Sequence, residues 1–255
     1  MKLGLYQGPP IQGDVEDGFA RIEQQLEAAV LAGARMVVFP ELFLPGYNQP
    51  NLHASLSQPL GGPWCKRLSA LARKAACGLA IGWAEREGAA VYNAATAFGP
   101  AGDVLAHYRK IQLFGPMERA SFNHGDAHSV FEFEGRRCAL MICYDVEFAH
   151  HVRALSKKGV SLVLVPTANP AGFENVARLT VPAQAFTQAQ TIAYANYCGQ
   201  ESDLTFGGHS LIAAPDGSVL AAAHTTETLI VTDIAHDVDP ALLSTQLADY
   251  RETPE

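Results

Sequence analysis

The first apolar run, Leu3 to Tyr6, is short and unbroken and predicts a buried strand, after which Phe19, Ile22, Leu26, Ala29 and Val30 recur at helical spacing up to Gly33. Met36 to Phe39 is a second continuous run, of the kind covered on both faces of a sheet, and it stops at Pro40-Glu41. Pro63 opens a helix carrying Trp64, Leu68 and Leu71, which ends by Gly78, and Leu79 to Trp83 returns to strand. From Ala90 to Lys110 the period shortens toward two around Gly99-Pro100-Ala101-Gly102, which predicts a hairpin ending at a lysine. Val130 to Phe133 and Cys138 to Ile142 flank the turn Glu134-Gly135, and the second run delivers Cys143 ahead of a helix expected from Glu147 to Lys158. Val160 to Val165 is a buried strand ending in Pro166-Thr167-Ala168-Asn169, followed by a helix from Val176 to Ala189 and a strand from Thr191 to Asn196. Ser210 to Ala213 and Ser218 to Ala222 form a second hairpin across Pro215-Asp216-Gly217, and Leu229 to Thr232 is the last strand.

Strands and helices alternate with no linker and no internal repeat. The pattern predicts one α/β domain over residues 1–255, with two sheets, helices outside, and residues 239–255 as a polar C-terminal tail. Composition narrows this further. At roughly 150 residues per domain, 255 residues fall short of two domains, and 48% hydrophobic with 17% charged residues excludes a disordered chain. The net charge of −8 has no basic stripe within it, so nucleic acid is excluded as a partner. The N-terminal apolar run is too short for a signal-peptide core of about 7 to 15 residues. No run approaches the roughly 18 residues of a membrane helix. A cytoplasmic chain with no membrane partner is therefore expected. The five cysteines, Cys65, Cys77, Cys138, Cys143 and Cys198, are odd in number and form no CxxC pair, which suggests neither a disulfide framework nor a zinc ribbon. His150-His151 are neighbours pointing about 100° apart on a helix, and Gly125-Asp126 breaks the spacing of His124 and His128, so no metal and no cofactor are expected.

Three chemically capable residues stand at the ends of separate apolar runs: Glu41, Lys110 and Cys143. Catalytic groups of open α/β sheets gather at strand carboxyl ends, so all three could meet. Taken singly, each has an ordinary structural role: a small core thiol, a helix-start acid, a surface base. Taken together they form a set. An adjacent ammonium and the amino end of the following helix would favour a thiolate at Cys143, with Lys110 supplying the charge. Glu41 could act as a base toward the thiol and later as an acid toward a leaving amine. Lys110 and the backbone N–H of Tyr144 could stabilise the oxyanion formed on an amide carbonyl. This is a minimal kit for hydrolysing a carbon-nitrogen bond.

Phe39-Pro40-Glu41, Tyr108-Arg109-Lys110 with Leu113-Phe114-Gly115, and Cys143-Tyr144-Asp145 resemble the nitrilase superfamily of carbon-nitrogen hydrolases. The likeness runs from Leu3 through Ala222, including Ala195 to Gly199 and Gly208-His209-Ser210. It implies a four-layer αββα sandwich, a Glu-Lys-Cys triad, a thioester intermediate and a homodimer or larger homo-oligomer. It also implies a second glutamate after the lysine, matched by Glu118 in Pro116-Met117-Glu118-Arg119.

Around the nucleophile the chain reads Cys-Tyr-Asp where nitrilases of the superfamily carry Cys-Trp-Glu, which favours amides. Asp145-Val146-Glu147 stands where carboxylate-recognising carbamoylases place arginines, and would repel an anionic substrate. The nearest resemblance is to bacterial aliphatic amidases of the 5-aminopentanamidase kind, through Leu5-Tyr6-Gln7-Gly8 and Pro45-Gly46-Tyr47-Asn48. It implies a small linear aliphatic or ω-amino amide as substrate, with Glu201 or Asp203 as candidates to meet a substrate ammonium. The loops from Pro45 to Asn51 and from Thr167 to Asn175 bear on pocket depth, and Tyr47, Thr167, Ala168 and Asn169 are further substrate-binding candidates. The family commonly continues with Glu-Phe-Pro-Glu, whereas this chain has Glu147-Phe148-Ala149-His150 and lacks the preset φ of proline at the helix start. Carbamoyl-amide or nitrile hydrolysis, and a binding homologue without catalysis, stand as the other readings.

Overall fold

The computed structural model describes residues 1–234 and 238–251. In chain order the elements are β1 (Lys2–Gln7), α1 (Val15–Leu31), β2 (Ala34–Val38), α2 (Pro50–Leu56), α3 (Pro63–Ala75), β3 (Gly78–Glu87), β4 (Ala90–Phe98), β5 (Val104–Arg109), α4 (Gly115–Ser121), β6 (Ser129–Phe133) and β7 (Arg136–Leu140). There follow α5 (Ala149–Lys157), β8 (Leu162–Pro166), α6 (Val181–Gln188), β9 (Thr191–Ala195), β10 (Cys198–Glu201), β11 (Leu204–Gly207), β12 (Leu211–Ala213), β13 (Val219–Ala222), β14 (Thr228–Asp233) and α7 (Gln246–Asp249).

One six-stranded sheet has the order β14-β1-β2-β3-β4-β5 and the other β13-β12-β9-β8-β7-β6, while β10 and β11 pair separately. The parallel strands are apolar on both faces because each face has its own cover. On β2, Met36 and Val38 enter the core between the sheets and Val37 enters the core under α1 and α3. On β8, Leu162 and Leu164 face the other sheet while Val163 and Val165 pack with Val152, Leu155, Val181 and Ala185 of α5 and α6. Three apolar layers thus separate four layers of secondary structure, the αββα sandwich expected from the sequence. Among the described residues no helix is long and apolar enough to cross a membrane.

Several local features differ from the sequence expectation. The helix expected from Glu147 starts later: Cys143–Glu147 form a tight 3-10 turn and α5 begins at Ala149, after Phe148 in extended conformation. Helix formation at Ala149 proceeds without proline. Likewise Val176–Thr180 coil as a π-helical turn before α6 begins. Cys198 to Gly207, to which the sequence pattern assigns no element, form a hairpin, β10 and β11, whose strands pair antiparallel from Cys198↔Gly207 to Glu201↔Leu204. In the segment read as a polar tail, α7 packs near α5 and α6, and Arg153 stacks 3.6 Å above the Tyr250 ring. Residues 252–255 of that tail lie outside the described residues.

Candidate active site

Glu41 follows β2 in a tight bend where Leu42 adopts φ +45°. The bend lies against β3 at Gly82, where a Cβ would stand 2.5 Å from Leu42 N and 2.6 Å from Glu41 Cα. Only glycine permits that approach. Lys110 leaves the end of β5, and its N–H donates to the carbonyl of Asn93 on β4 at 2.8 Å. The Lys110 ammonium, fully buried, donates to Glu41 Oε1 at 2.6 Å and to Glu118 Oε1 at 2.7 Å. Glu118, on α4, also accepts from the Tyr47 hydroxyl at 2.8 Å and from Phe114 N–H at 2.9 Å. Glu41 Oε1 accepts from the Asn93 amide at 2.7 Å, whereas its Oε2 is buried without a hydrogen-bond partner. Both oxygens of Glu118 are thus hydrogen-bonded, whereas Glu41 retains an oxygen free to take a proton.

Cys143 comes from the other sheet, at the first position of the turn after β7, with φ +43°. Such a backbone is costly for a non-glycine residue. Asp145 holds it: its carboxylate accepts from Ile142 N–H at 3.2 Å, Gln112 N–H at 2.8 Å and the Tyr108 hydroxyl at 2.8 Å. The first amides of a short helical turn have no intrahelical acceptor, which leaves Tyr144 N–H available beside the sulfur. The carbonyl of Thr167, just past β8, accepts from Glu41 N–H at 3.3 Å and joins the two sheets at the site.

Two carboxylates and one ammonium sealed from water carry one excess negative charge. Burial accordingly pushes Glu41 up to about 7, over the lowering pull of Lys110 and with Glu118 adding to the rise. At Lys110 burial disfavours the charge, but Glu118 and Glu41 outweigh it and the ammonium is strengthened. At Cys143 burial and then the charge of Glu41 push the thiol well above its ordinary range, against Lys110 and the Ala168 N–H directed at the sulfur. The expected thiolate is thus corrected: Cys143 rests as a thiol, because desolvation exceeds the help of one already-paired lysine.

A cavity of about 240 Å³ opens on Cys143, with Tyr144, Glu147, Ala168 and Asn169 in its lining and Phe114, Pro170 and Phe173 as apolar walls. A second of about 190 Å³, bounded by Tyr47, Asn48, Met117 and Leu204, adjoins it across Phe114 and Pro170. Of the residues singled out from sequence, Glu41, Lys110, Glu118, Cys143, Tyr144, Tyr47, Ala168 and Asn169 are brought together here. The Thr167 hydroxyl instead donates to Val165 O at 3.0 Å, and only its backbone serves the site. Glu201 accepts from Asn48 N–H at 2.6 Å and Asp203 from the Asn48 side chain at 2.9 Å. Both acids brace the loop that carries Tyr47, and neither lines the two cavities. Cys198 is a buried thiol at the start of β10.

Sequence reasoning missed Asn93, the bracing role of Asp145 and the walls Phe114 and Phe173, whereas Glu147, read as part of the stretch that would repel an anionic substrate, lines the cavity. The signal for Glu147 was its place four residues beyond Cys143, at the end of the same tight turn. Asn93 had none, since it meets Glu41 only through the β3-β4 pairing. His128 Nε2 and His151 Nδ1 approach to 3.1 Å, but no group of three His, Cys, Asp or Glu side chains is arranged to hold a metal ion among the described residues.

Residues 2–241 match the carbon-nitrogen hydrolase family. The chain is 37% identical to a Pseudomonas protegens protein described as the hydrolase in the pqqF 5′ region, covering 98% of this chain and 89% of that one. It is 30% identical to an (R)-stereoselective amidase of a Pseudomonas species, covering 98% and 90%. An amidase from Nesterenkonia sp. AN1, solved with acrylamide added to its active-site cysteine, superposes with a TM-score of 0.90 at 33% identity, covering 98% of this chain and 96% of that one. A further structure of that amidase holds butyramide. The chain belongs to the carbon-nitrogen hydrolase family. Within it, the fold and the relatives make it an amidase of the nitrilase superfamily.

Proposed function

We propose that the protein hydrolyses small linear amides, aliphatic or ω-amino, to a carboxylic acid and ammonia through a thioester on Cys143. The observation that carries this reading is the buried Lys110 ammonium clasped between Glu41 and Glu118 at 2.6 and 2.7 Å, within electrostatic reach of Cys143. Glu41 takes the thiol proton as sulfur attacks the amide carbonyl. The oxyanion is met by Lys110 and the Tyr144 N–H. Glu41 then returns the proton to nitrogen, the carbon-nitrogen bond breaks and ammonia leaves. Water, deprotonated by Glu41, adds to the thioester. The resulting tetrahedral adduct expels the sulfur, which recovers its proton from Glu41 as the acid departs. Glu118 holds Lys110 in place and is itself held by Tyr47.

The small cavity with Phe114, Pro170 and Phe173 as walls supports a short chain, as does the butyramide held by the Nesterenkonia amidase. Five unpaired cysteines suit a reducing cytosol, and the protein works as an assembly of two or more copies. Cys143→Ala is expected to abolish ammonia release from a panel of aliphatic, ω-amino, aromatic and carbamoyl amides while leaving the circular-dichroism spectrum unchanged. Turnover equal to the parent's would refute the assignment. Carbon dioxide released together with ammonia would point to carbamoyl substrates instead.

A further inference from the structure

Among the residues lining the cavity at Cys143 and its neighbour, Glu147 is the only charged side chain. It is half-buried, and no hydrogen bond or ion pair engages its carboxylate among the described residues. Burial raises its pKa, with Lys110 acting in the opposite sense. The other acids nearby are already committed: Asp145 to three donors in the nucleophile turn, Glu41 and Glu118 to Lys110. Lys110 reaches Glu147 only through space and makes no ion pair with it, being sealed away and matched by two carboxylates. A half-buried anion with no protein partner, in a small cavity with mostly apolar walls, is unfavourable alone and is relieved by a cation that donates hydrogen bonds to it.

We infer that Glu147 is the specificity-determining residue of this site, selecting amides whose acyl chain carries an ammonium and turning away those that carry a carboxylate. This rests on the amidase reading and adds the charge preference and the group that sets it. The role considered for Glu201 and Asp203 passes to Glu147, because those two acids are held by Asn48.

The test uses three primary amides: hexanamide, its ω-ammonium analogue of equal length, and glutaramate. In the parent enzyme kcat/KM for the ammonium amide is expected to exceed that for hexanamide by roughly ten- to a hundredfold, the worth of a charge-assisted hydrogen bond. Glu147→Gln should bring that ratio to within about threefold, through KM of the charged substrate, and should improve glutaramate relative to hexanamide. A structural lesion would slow all three amides alike and leave the ratios in place, and ratios unchanged in Glu147→Gln overturn the proposal. Calorimetric binding of the same amides to Cys143→Ala, with and without Glu147→Gln, reads the preference without turnover. Should no amide be hydrolysed by the parent, the amidase reading fails, and the binding ratio still decides the role of Glu147.

Discussion

At the scale of single residues, the proposed mechanism gives the proton to Glu41. Its Oε1 is tied to Lys110 and Asn93 while Oε2 stays unbonded, and burial lifts the carboxyl to about 7. The base form exists above that value, so kcat/KM for a neutral amide is expected to fall as pH drops through about 7 and to level off above it. Lys110 and Glu118 help set where that limb falls, the first lowering and the second raising the Glu41 carboxyl. Asn93→Ala removes a donor that favours the charged carboxylate, and should move the limb to higher pH. A pH-rate profile of both proteins checks this, and a limb at the ordinary carboxylate position in the parent would contradict it. Cys143 shows a second residue-scale effect: a left-handed backbone costing on the order of 1–3 kcal/mol is retained because Asp145 receives three donors at once.

At the scale of elements, each reactive group is delivered by the end of a strand and fixed by its neighbour. The β3-β4-β5 meander puts Asn93 and Lys110 in register, and β3 offers Gly82 to the bend at Glu41. Gly82→Ala would drive a Cβ into backbone at 2.5 Å, which has no side-chain movement to relieve it. The expected result is a fall in kcat of tenfold or more, with a stability loss of about 1–3 kcal/mol from overpacking. Kinetics and thermal denaturation of the variant measure both, and parent-like kcat would show that the bend tolerates displacement. Most strands were legible from their apolar runs. The short α2 and α4 and the β10-β11 hairpin were not, because seven- and four-residue segments carry too little periodicity to separate from loops.

At the scale of the whole molecule, the site exists only where two sheets meet. Glu41 and Lys110 come from one, Cys143 and the Thr167-Ala168 backbone from the other, and the core between them includes Leu5, Val38, Leu140 and Leu164. Outside this sandwich, Leu179 is 65% exposed beside α6, Phe186 on it is 39% exposed, and Val219 of β13 is 49% exposed. A second copy would cover such side chains. Sedimentation is expected to show at least a dimer, and Leu179→Glu with Phe186→Glu should shift it toward monomer. A parent that sediments as a monomer at micromolar concentration would count against assembly.

The order of apolar and polar positions was enough to define an α/β chain with two sheets, because short continuous apolar runs bounded by turn residues suit strands covered on both faces. The motif residues around Glu41, Lys110 and Cys143 carried the candidate triad and, through resemblance, its class of chemistry. Protonation and pocket chemistry were decided in three dimensions. A linear sequence shows neither which charges share one sealed volume nor which acid already has donors. Only the packed sheets make Cys143 a thiol, raise Glu41, commit Glu201 and Asp203 to Asn48, and leave Glu147 facing the cavity at Cys143.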